Sequence, residues 1–170
     1  GDDMCRGGIP NPAFNSLVVT QTPGRGFIED APAMVLKYPY RNPFWQDKCP
    51  DFSKITVPTY IVAGYNSPVH TRGSFEGFRK IASEHKWLRI HNTGEWPDFY
   101  AHQEDLKKFF DCFLKEMDNG WMETPRVRMS VIDPGGQDVV DRKETEWPLS
   151  RQRFHRLYLG AGGRLTEQPE

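Results

Sequence analysis

The sequence predicts an α/β fold in which a parallel sheet covered by helices is followed by an antiparallel β region. Between Val57 and Gly120, strand patterns alternate with helical patterns in the order of a βαβα unit. The first strand pattern is a short, nearly continuous apolar run, as expected for a parallel strand that is buried on both faces. After Pro125, the helical period gives way to alternation of polar and apolar residues, which is typical of antiparallel strands.

The predicted unit contains two strands and two helices, in the order strand 57–64, helix 74–84, strand 86–90 and helix 103–117. The first helix is predicted because Phe75, Phe78 and Ile81 share one face. The second helix carries a long apolar stripe, and Asn119 and Gly120 are expected to cap its C-terminus. Because a β-α-β crossover is right-handed, the two strands are expected to lie parallel.

Two partly alternating stretches form the predicted antiparallel region, at residues 126–131 and 154–159. The turn-forming sequence at residues 133–136 lies between them. So few strands do not make a stable sheet alone. The chain is therefore expected to stop inside a second domain.

The N-terminal third differs from the rest, since it is rich in proline and shows no sustained period. One short helix is predicted there, near Ala31–Leu36. The predicted domain organisation therefore has three parts: an irregular lid or connecting segment at 1–54, the C-terminal part of an α/β domain at 55–122, and the start of a truncated β domain at 123–170.

The composition is that of a core-forming globular protein, with 37% hydrophobic and 13% aromatic residues. A net charge of −1 gives no electrostatic reason to expect nucleic acid or an anionic membrane as partner. No apolar run reaches the length that spans a bilayer. Three cysteines without a C-x-x-C pair indicate neither a zinc site nor a disulfide framework, and favour a cytoplasmic location.

Several short sequences become recognisable when they are taken in order. They are Val57-Pro58-Thr59-Tyr60, His70-Thr71-Arg72-Gly73, Lys86-Trp87-Leu88, Phe109-Phe110-Asp111 and Asp118-Asn119-Gly120-Trp121. In this order and spacing they resemble the cocaine esterase-like and X-Pro dipeptidyl-peptidase-like hydrolases. The continuation through Thr124-Pro125-Arg126, Glu146-Trp147-Pro148 and Leu157-Tyr158-Leu159 resembles the opening of the jelly-roll domain that follows the catalytic domain in that family.

The resemblance implies an α/β-hydrolase whose nucleophilic serine lies on a Gly-x-Ser-x-Gly turn upstream of the matching region. Such a turn needs small flanking residues so that the hydroxyl can project from it. None of the serines in this chain has those glycines: Ser16, Ser53, Ser67, Ser74, Ser83, Ser130 and Ser150. The chain is therefore expected to be a piece of a longer enzyme that supplies the nucleophile, and to be inactive alone.

The resemblance also implies an acid after the first strand and a histidine after the second. The acid position reads Gly64-Tyr65-Asn66-Ser67 and contains no carboxylate. Asn66 and Ser67 are the candidates there, either orienting a histidine or simply forming a turn at the strand end. His91 is the candidate general base, and the alternative is a strand-end histidine bonded to the backbone. The carboxyl ends of parallel strands meet at one edge, so these residues are expected to lie together.

Other residues near this edge are alternative candidates. His70 precedes the first helix and is a second candidate for the base. Glu95 and Asp98 are possible substitutes for the missing acid, although both are expected to be solvated loop charges. No metal or cofactor is expected, because no metal-like spacing links the remaining histidines, His85, His102 and His155. The aromatic residues Trp87, Trp96, Phe99 and Tyr100 are expected to be core.

Two functions remain open at this point. The first is a serine hydrolase that acts on a small-molecule ester or peptide substrate through an acyl-enzyme. The second is a catalytically silent relative that serves as a binding or assembly module, which the missing acid favours. A homo-oligomer is possible with either function.

Overall fold

The computed structural model describes residues 5–6, 9–10, 13, 29–67 and 69–169. Within that part, the strands are β1 (Cys5–Arg6), β2 (Ile9–Pro10), β3 (Thr59–Gly64), β4 (Lys86–His91), β5 (Val127–Val131), β6 (Val139–Glu144), β7 (Tyr158–Gly160) and β8 (Arg164–Thr166). The α-helices are α1 (Ala31–Lys37), α2 (Pro43–Asp47), α3 (Thr71–Lys80), α4 (Glu95–Ala101) and α5 (Gln103–Leu114). Short 3₁₀ helices lie at Phe52–Lys54, Trp121–Glu123 and Ala161–Gly163.

A four-stranded mixed sheet in the order β3-β4-β5-β6 organises this architecture. β3 pairs with β4 in parallel, with Thr59 opposite Lys86 and Gly64 opposite His91. β4 also pairs with β5 in parallel, whereas β5 and β6 are antiparallel. β7 and β8 form a separate antiparallel pair, as do β1 and β2. The predicted α/β class, with a parallel sheet leading into antiparallel strands, is confirmed.

The helix boundaries correct the sequence prediction. The helix predicted near Ala31–Leu36 is α1, which Asp30 caps by accepting the Ala33 N–H at 3.0 Å. The helix predicted at 74–84 occupies Thr71–Lys80 instead. It begins early because the Thr71 hydroxyl donates to the Ser67 carbonyl at 2.6 Å, which fixes the first turn. It ends early because Ile81 leaves the helical region.

The C-terminal cap predicted at Asn119 and Gly120 is wrong. α5 ends at Leu114, because Glu116 takes a left-handed φ of 53° and the Met117 N–H turns back to the Asp111 carbonyl at 3.2 Å. Asn119 instead braces the following loop. Its side-chain amide donates to the Lys108 carbonyl at 2.8 Å, and its side-chain oxygen accepts the Trp121 N–H at 3.1 Å.

The antiparallel region also differs in detail. The turn at residues 133–136 joins β5 to β6, a strand that the sequence did not predict. Of the stretch predicted at 154–159, only Tyr158 and Leu159 lie in a strand, β7. The domain boundary at 122/123 stays a prediction, and the sheet itself continues across it through the β4–β5 pairing.

The two faces of β4 explain how the sheet is covered. Side chains alternate along a strand, so Leu88 and Ile90 point to one face while Trp87, Arg89 and His91 point to the other. Leu88 and Ile90 pack with Phe78 of α3 in one core cluster. Trp87 packs with Phe109 of α5 and with Trp121 in a second, aromatic cluster. Polar Arg89 and His91 therefore lie on the α5 side, next to α4.

Within the described part of the chain, no helix combines the length and the apolar character that crossing a membrane requires.

Candidate functional site

A cleft of about 470 Å³ opens at the carboxyl ends of β3 and β4. This is the edge at which parallel α/β sheets place their working groups. Its polar lining includes His70, His91, Glu95, Asp98 and His102. Three histidines and two carboxylates therefore share one cavity, although the sequence separates them by up to 32 positions. General acid–base chemistry is what this set of groups supports.

His91 is the last residue of β4 and lies buried on the floor of this cleft. Its Nδ1 accepts the Thr93 N–H at 3.3 Å and lies 3.1 Å from the Thr93 hydroxyl. The opposite edge of the ring rests on Gly64, where a Cβ atom would come within 3.0 Å of Cε1. A side chain at position 64 would therefore crowd the imidazole. The role of His91 as base stays a prediction.

Asn66 and Ser67 follow β3 at the same edge. Asn66 is exposed, and its side-chain oxygen would lie 3.2 Å from a Cβ placed on Gly64, so it borders the space next to His91. Ser67 accepts the His70 backbone N–H at 3.2 Å, and its hydroxyl lies 3.4 Å from His70 Nδ1. Ser67 thus shapes the turn that carries His70.

Asp98 is buried, with 3% of its side chain exposed, and the expectation of a solvated loop charge is wrong for this residue. Its two carboxylate oxygens accept hydrogen bonds from both terminal nitrogens of Arg89, one of them at 3.0 Å. A helix that the sequence pattern did not predict, α4, brings Asp98 inside. Pro97 lies in the first turn of this helix, where proline is tolerated.

His102 caps the C-terminal end of α4 and also faces Asp98. Its Nδ1 lies 2.9 Å from the Asp98 carbonyl oxygen and 3.3 Å from the carboxylate. The same carboxylate lies 3.7 Å from His91 Nδ1, beyond hydrogen-bond distance. Asp98 therefore has one strong partner, Arg89, and two histidine neighbours.

His70 and Glu95 form the closest histidine–carboxylate pair in the cleft. The His70 Nδ1 lies 2.8 Å from Glu95 Oε1. Hydrogen bonds from Ser67 and His70 hold the pKa of Glu95 below its usual value. Glu95 is therefore ionised at neutral pH. His70 is 64% exposed and Glu95 is 41% exposed, so Glu95 fits the expected exposed charge, but as a paired one.

A polar network extends from the cleft beneath the sheet edge. The Tyr60 hydroxyl accepts from Arg89 Nε at 3.1 Å and from Arg128 at 2.8 Å, and it donates to Asp105. Burial is the main reason that the pKa of Tyr60 is raised, so the phenol stays protonated. The network fixes the Arg89 guanidinium, and through it Asp98.

The aromatic residues near α4 correct a second expectation. Trp87 is fully buried as predicted, but Trp96 is 69% exposed and Tyr100 is 66% exposed. Phe99 is 42% exposed and borders the cleft. α4 turns Asp98 toward the protein interior, so Trp96 and Tyr100 lie on its outward side.

The remaining histidines lie elsewhere. The exposed His85 stacks on Trp87 with ring centroids 6.3 Å apart, and His155 is exposed. Among the described residues, no group of three or more histidine, cysteine, aspartate or glutamate side chains is arranged to hold a metal ion.

We expect His91 to make the stability of the protein depend on pH. Burial is the main cause that lowers the His91 pKa, with the Asp98 charge opposing it. An unfolded histidine titrates near pH ~6.5. The unfolded chain therefore binds more protons below that pH, so stability is complete above it and falls as the pH drops toward the folded-state pKa.

This dependence can be measured as the free energy of unfolding of the wild-type protein and of the His91→Gln variant at pH 7 and pH 5. The wild type should lose more stability between the two pH values than the variant does. Equal losses would show that His91 is not buried in its neutral form.

Comparisons with known proteins agree with this architecture. Residues 119–170 match the family described as the X-Pro dipeptidyl-peptidase C-terminal non-catalytic domain. Two crystal structures of a CocE/NonD family hydrolase from Staphylococcus aureus are similar to the chain. One is 35% identical with a TM-score of 0.75 over 83% of the chain, and the other is 34% identical with a TM-score of 0.83 over 98%. No curated protein shows a significant match.

The chain spans 26% and 32% of the length of those two crystallised chains. These similarities confirm the resemblance to the cocaine esterase-like and X-Pro dipeptidyl-peptidase-like hydrolases.

Proposed function

From its match to the CocE/NonD family hydrolases, we propose that this chain is the part of a serine hydrolase that carries the general base. The whole enzyme cleaves ester or X-Pro peptide bonds through an acyl-enzyme. Its nucleophilic serine lies outside this chain, in the part of the enzyme that precedes it. The segment from residue 123 onward is the start of the jelly-roll domain.

The observation that carries this proposal is the cleft at the carboxyl ends of β3 and β4. It brings histidines and carboxylates together at the edge where α/β enzymes place catalytic groups. A histidine bonded to a carboxylate is the pair that activates a serine hydroxyl. A structural role alone does not require an exposed histidine–carboxylate pair such as His70 and Glu95.

Ser67 does not serve as the nucleophile in this proposal. Its hydroxyl is already engaged, because it accepts the His70 N–H and bonds to Glu95. It also lacks the flanking glycines of the sharp turn from which a nucleophile projects. The missing serine is consistent with a chain that spans about a third or less of its relative's length.

The chemistry follows in two halves. The serine oxygen bonds to the substrate carbonyl carbon while the histidine takes the hydroxyl proton, and the carbonyl electrons move onto oxygen. The carbon–leaving-group bond then breaks, and the histidine returns the proton to the departing alcohol or amine. Water repeats the sequence on the acyl-serine, which releases the acid and the free serine.

A comparison of the 170-residue chain with a longer protein that includes the preceding segments tests the proposal. The substrates are a p-nitrophenyl ester and an X-Pro p-nitroanilide, and a fluorophosphonate probe reports a reactive serine. The longer protein should turn over at least one substrate and take up the probe, whereas the chain alone should do neither. A folded longer protein that shows no turnover and no labelling would instead be the silent binding module.

A further inference from the structure

The cleft contains three histidines, and their hydrogen bonds decide which of them can accept a proton from a nucleophile. A general base needs one ring nitrogen held by an acceptor and the other nitrogen open to the reacting group. It also needs an accessible ring, because the substrate comes from solvent and the proposed serine nucleophile lies outside this chain.

His91 does not meet these conditions. Its Nδ1 accepts the Thr93 N–H, so the ring proton lies on Nε2, the nitrogen that would have to receive a proton. Its Cε1–Nε2 edge also packs against Gly64. The ring is buried, and Asp98 lies 3.7 Å away, too far to orient it by a direct hydrogen bond. His91 therefore acts as packing beneath the cleft.

His102 meets the conditions for a general base only in part. Its Nδ1 donates to the Asp98 main-chain carbonyl at 2.9 Å, which is a helix-end contact made within its own turn. The nearby Asp98 carboxylate is bound by both terminal nitrogens of Arg89, whose charge offsets its own. Little negative charge is left there to stabilise an imidazolium.

His70 meets all of these conditions for a general base. Its Nδ1 lies 2.8 Å from Glu95 Oε1, within the range of a charge-assisted hydrogen bond, which leaves Nε2 as the acceptor. The partners that the described residues give Glu95 are His70 and the Ser67 hydroxyl, neither of which is a permanent cation that would neutralise its charge. The ring is 64% exposed.

The turn that carries His70 is itself well held. The His70 N–H donates to the Ser67 hydroxyl at 3.2 Å, and the His70 carbonyl accepts the Ser74 N–H and the Ser74 hydroxyl, each at 2.9 Å. Thr71 ties the same turn to the end of β3 through the Gly64 carbonyl at 2.5 Å. An exposed side chain on a fixed backbone is what a base that must meet an incoming group requires.

We propose that His70 is the general base and Glu95 the residue that orients it, so that the histidine follows β3 and the acid follows β4. This arrangement reverses the order of acid then histidine that this fold uses. It explains why the acid position after β3 has only Asn66 and Ser67: the carboxylate has moved to the other strand end. In the reaction, His70 Nε2 takes the serine proton and Glu95 stays ionised. The inference rests on the proposed hydrolase function.

The test uses the longer protein with four single substitutions, His70→Gln, Glu95→Gln, His91→Gln and His102→Gln, and with His155→Gln as an exposed control outside the cleft. His70→Gln should lower kcat/KM by at least about 10³. Glu95→Gln should lower turnover by up to about 10⁴, as an Asp-to-Asn change does in a serine protease. His155→Gln should leave the rate unchanged.

The division of the loss between kcat and KM separates a catalytic from a structural role. Proton transfer to His70 occurs only in the transition state, so His70→Gln and Glu95→Gln should lower kcat and kcat/KM by the same factor and leave KM unchanged. A structural effect on the cleft would also raise KM. His91→Gln and His102→Gln should lose less activity than His70→Gln.

The outcomes are distinguishable. If the wild-type protein shows neither turnover nor phosphonate labelling, the hydrolase proposal itself fails. If the wild type is active but His91→Gln or His102→Gln abolishes activity while His70→Gln does not, the assignment of the base is wrong. Circular dichroism of each variant identifies any loss that reflects misfolding, and the division of the loss between kcat and KM in the Glu95→Gln variant then decides.

Discussion

Replacing Asp98 by Ala will lower the free energy of unfolding by about 3–5 kcal/mol, among the largest losses in the protein. Asp98 and Arg89 are each 3% exposed at the side chain and form a two-point ion pair. Removing the carboxylate leaves a buried guanidinium with only the Tyr60 hydroxyl as hydrogen-bond partner among its described contacts. Denaturant unfolding of the variant measures the loss.

Glu76→Gln is the matched control for this substitution. Glu76 also binds two cations, Arg79 and Lys80, but it does so on the surface of α3. Exposed ion pairs contribute little to stability because water and salt screen them, so this variant should remain close to wild type. A loss below about 1 kcal/mol for Asp98→Ala would show that Asp98 is solvated after all.

Replacing Trp121 by Ala is expected to cost about 3–5 kcal/mol through the cavity it leaves. Trp121 is fully buried and packs against Tyr60, Trp87 and Phe109 with ring centroids 5.1–5.4 Å apart. These contacts join α5 to both β3 and β4, so the loss reaches the strands that carry the cleft.

Trp96→Ala removes the same side chain from an exposed site. Trp96 is 69% exposed on α4, and its change in unfolding free energy should stay within about 0.5 kcal/mol. Comparable losses for the two variants would contradict the placement of the aromatic core around Trp121.

The strands and the strand ends were predictable from the sequence because they depend on local pattern. β3 and β4 appear as short apolar runs, and a right-handed crossover makes them parallel whatever the details of the helix between them. Gly64 and His91 consequently fall opposite each other. The position of the cleft followed from the same topology.

The fate of Asp98 was not predictable in this way. Gly94 and Pro97 lie close to it in the sequence and are residue types common in turns, so the local pattern indicates a loop with solvated charges rather than the helix α4. Asp98 is buried because it pairs with Arg89, which is buried too. The Arg89 side chain lies on the same face of β4 as Trp87, since side chains alternate along a strand. The signal in the sequence for a buried acidic partner is Arg89, a charged residue between the apolar residues Leu88 and Ile90 of β4.

The pairing of His70 with Glu95 could not be predicted from the sequence either. The two residues are 25 positions apart, and each follows a different strand. Topology places both at one edge but does not say which histidine meets which carboxylate. Family order pointed to His91, whereas the hydrogen bonds of the turn after β3 favour His70.

An incoming nucleophile is expected to meet His70 over the carboxyl ends of β3 and β4. A crystal structure of the longer protein, trapped as its serine phosphonate adduct, shows directly whether it does. The serine oxygen or a phosphonate oxygen should lie within hydrogen-bond reach of His70 Nε2, about 2.6–3.2 Å, with Glu95 still bound to Nδ1. An adduct seated against His91 or His102, or at the opposite edge of the sheet, would show that His70 is not the base.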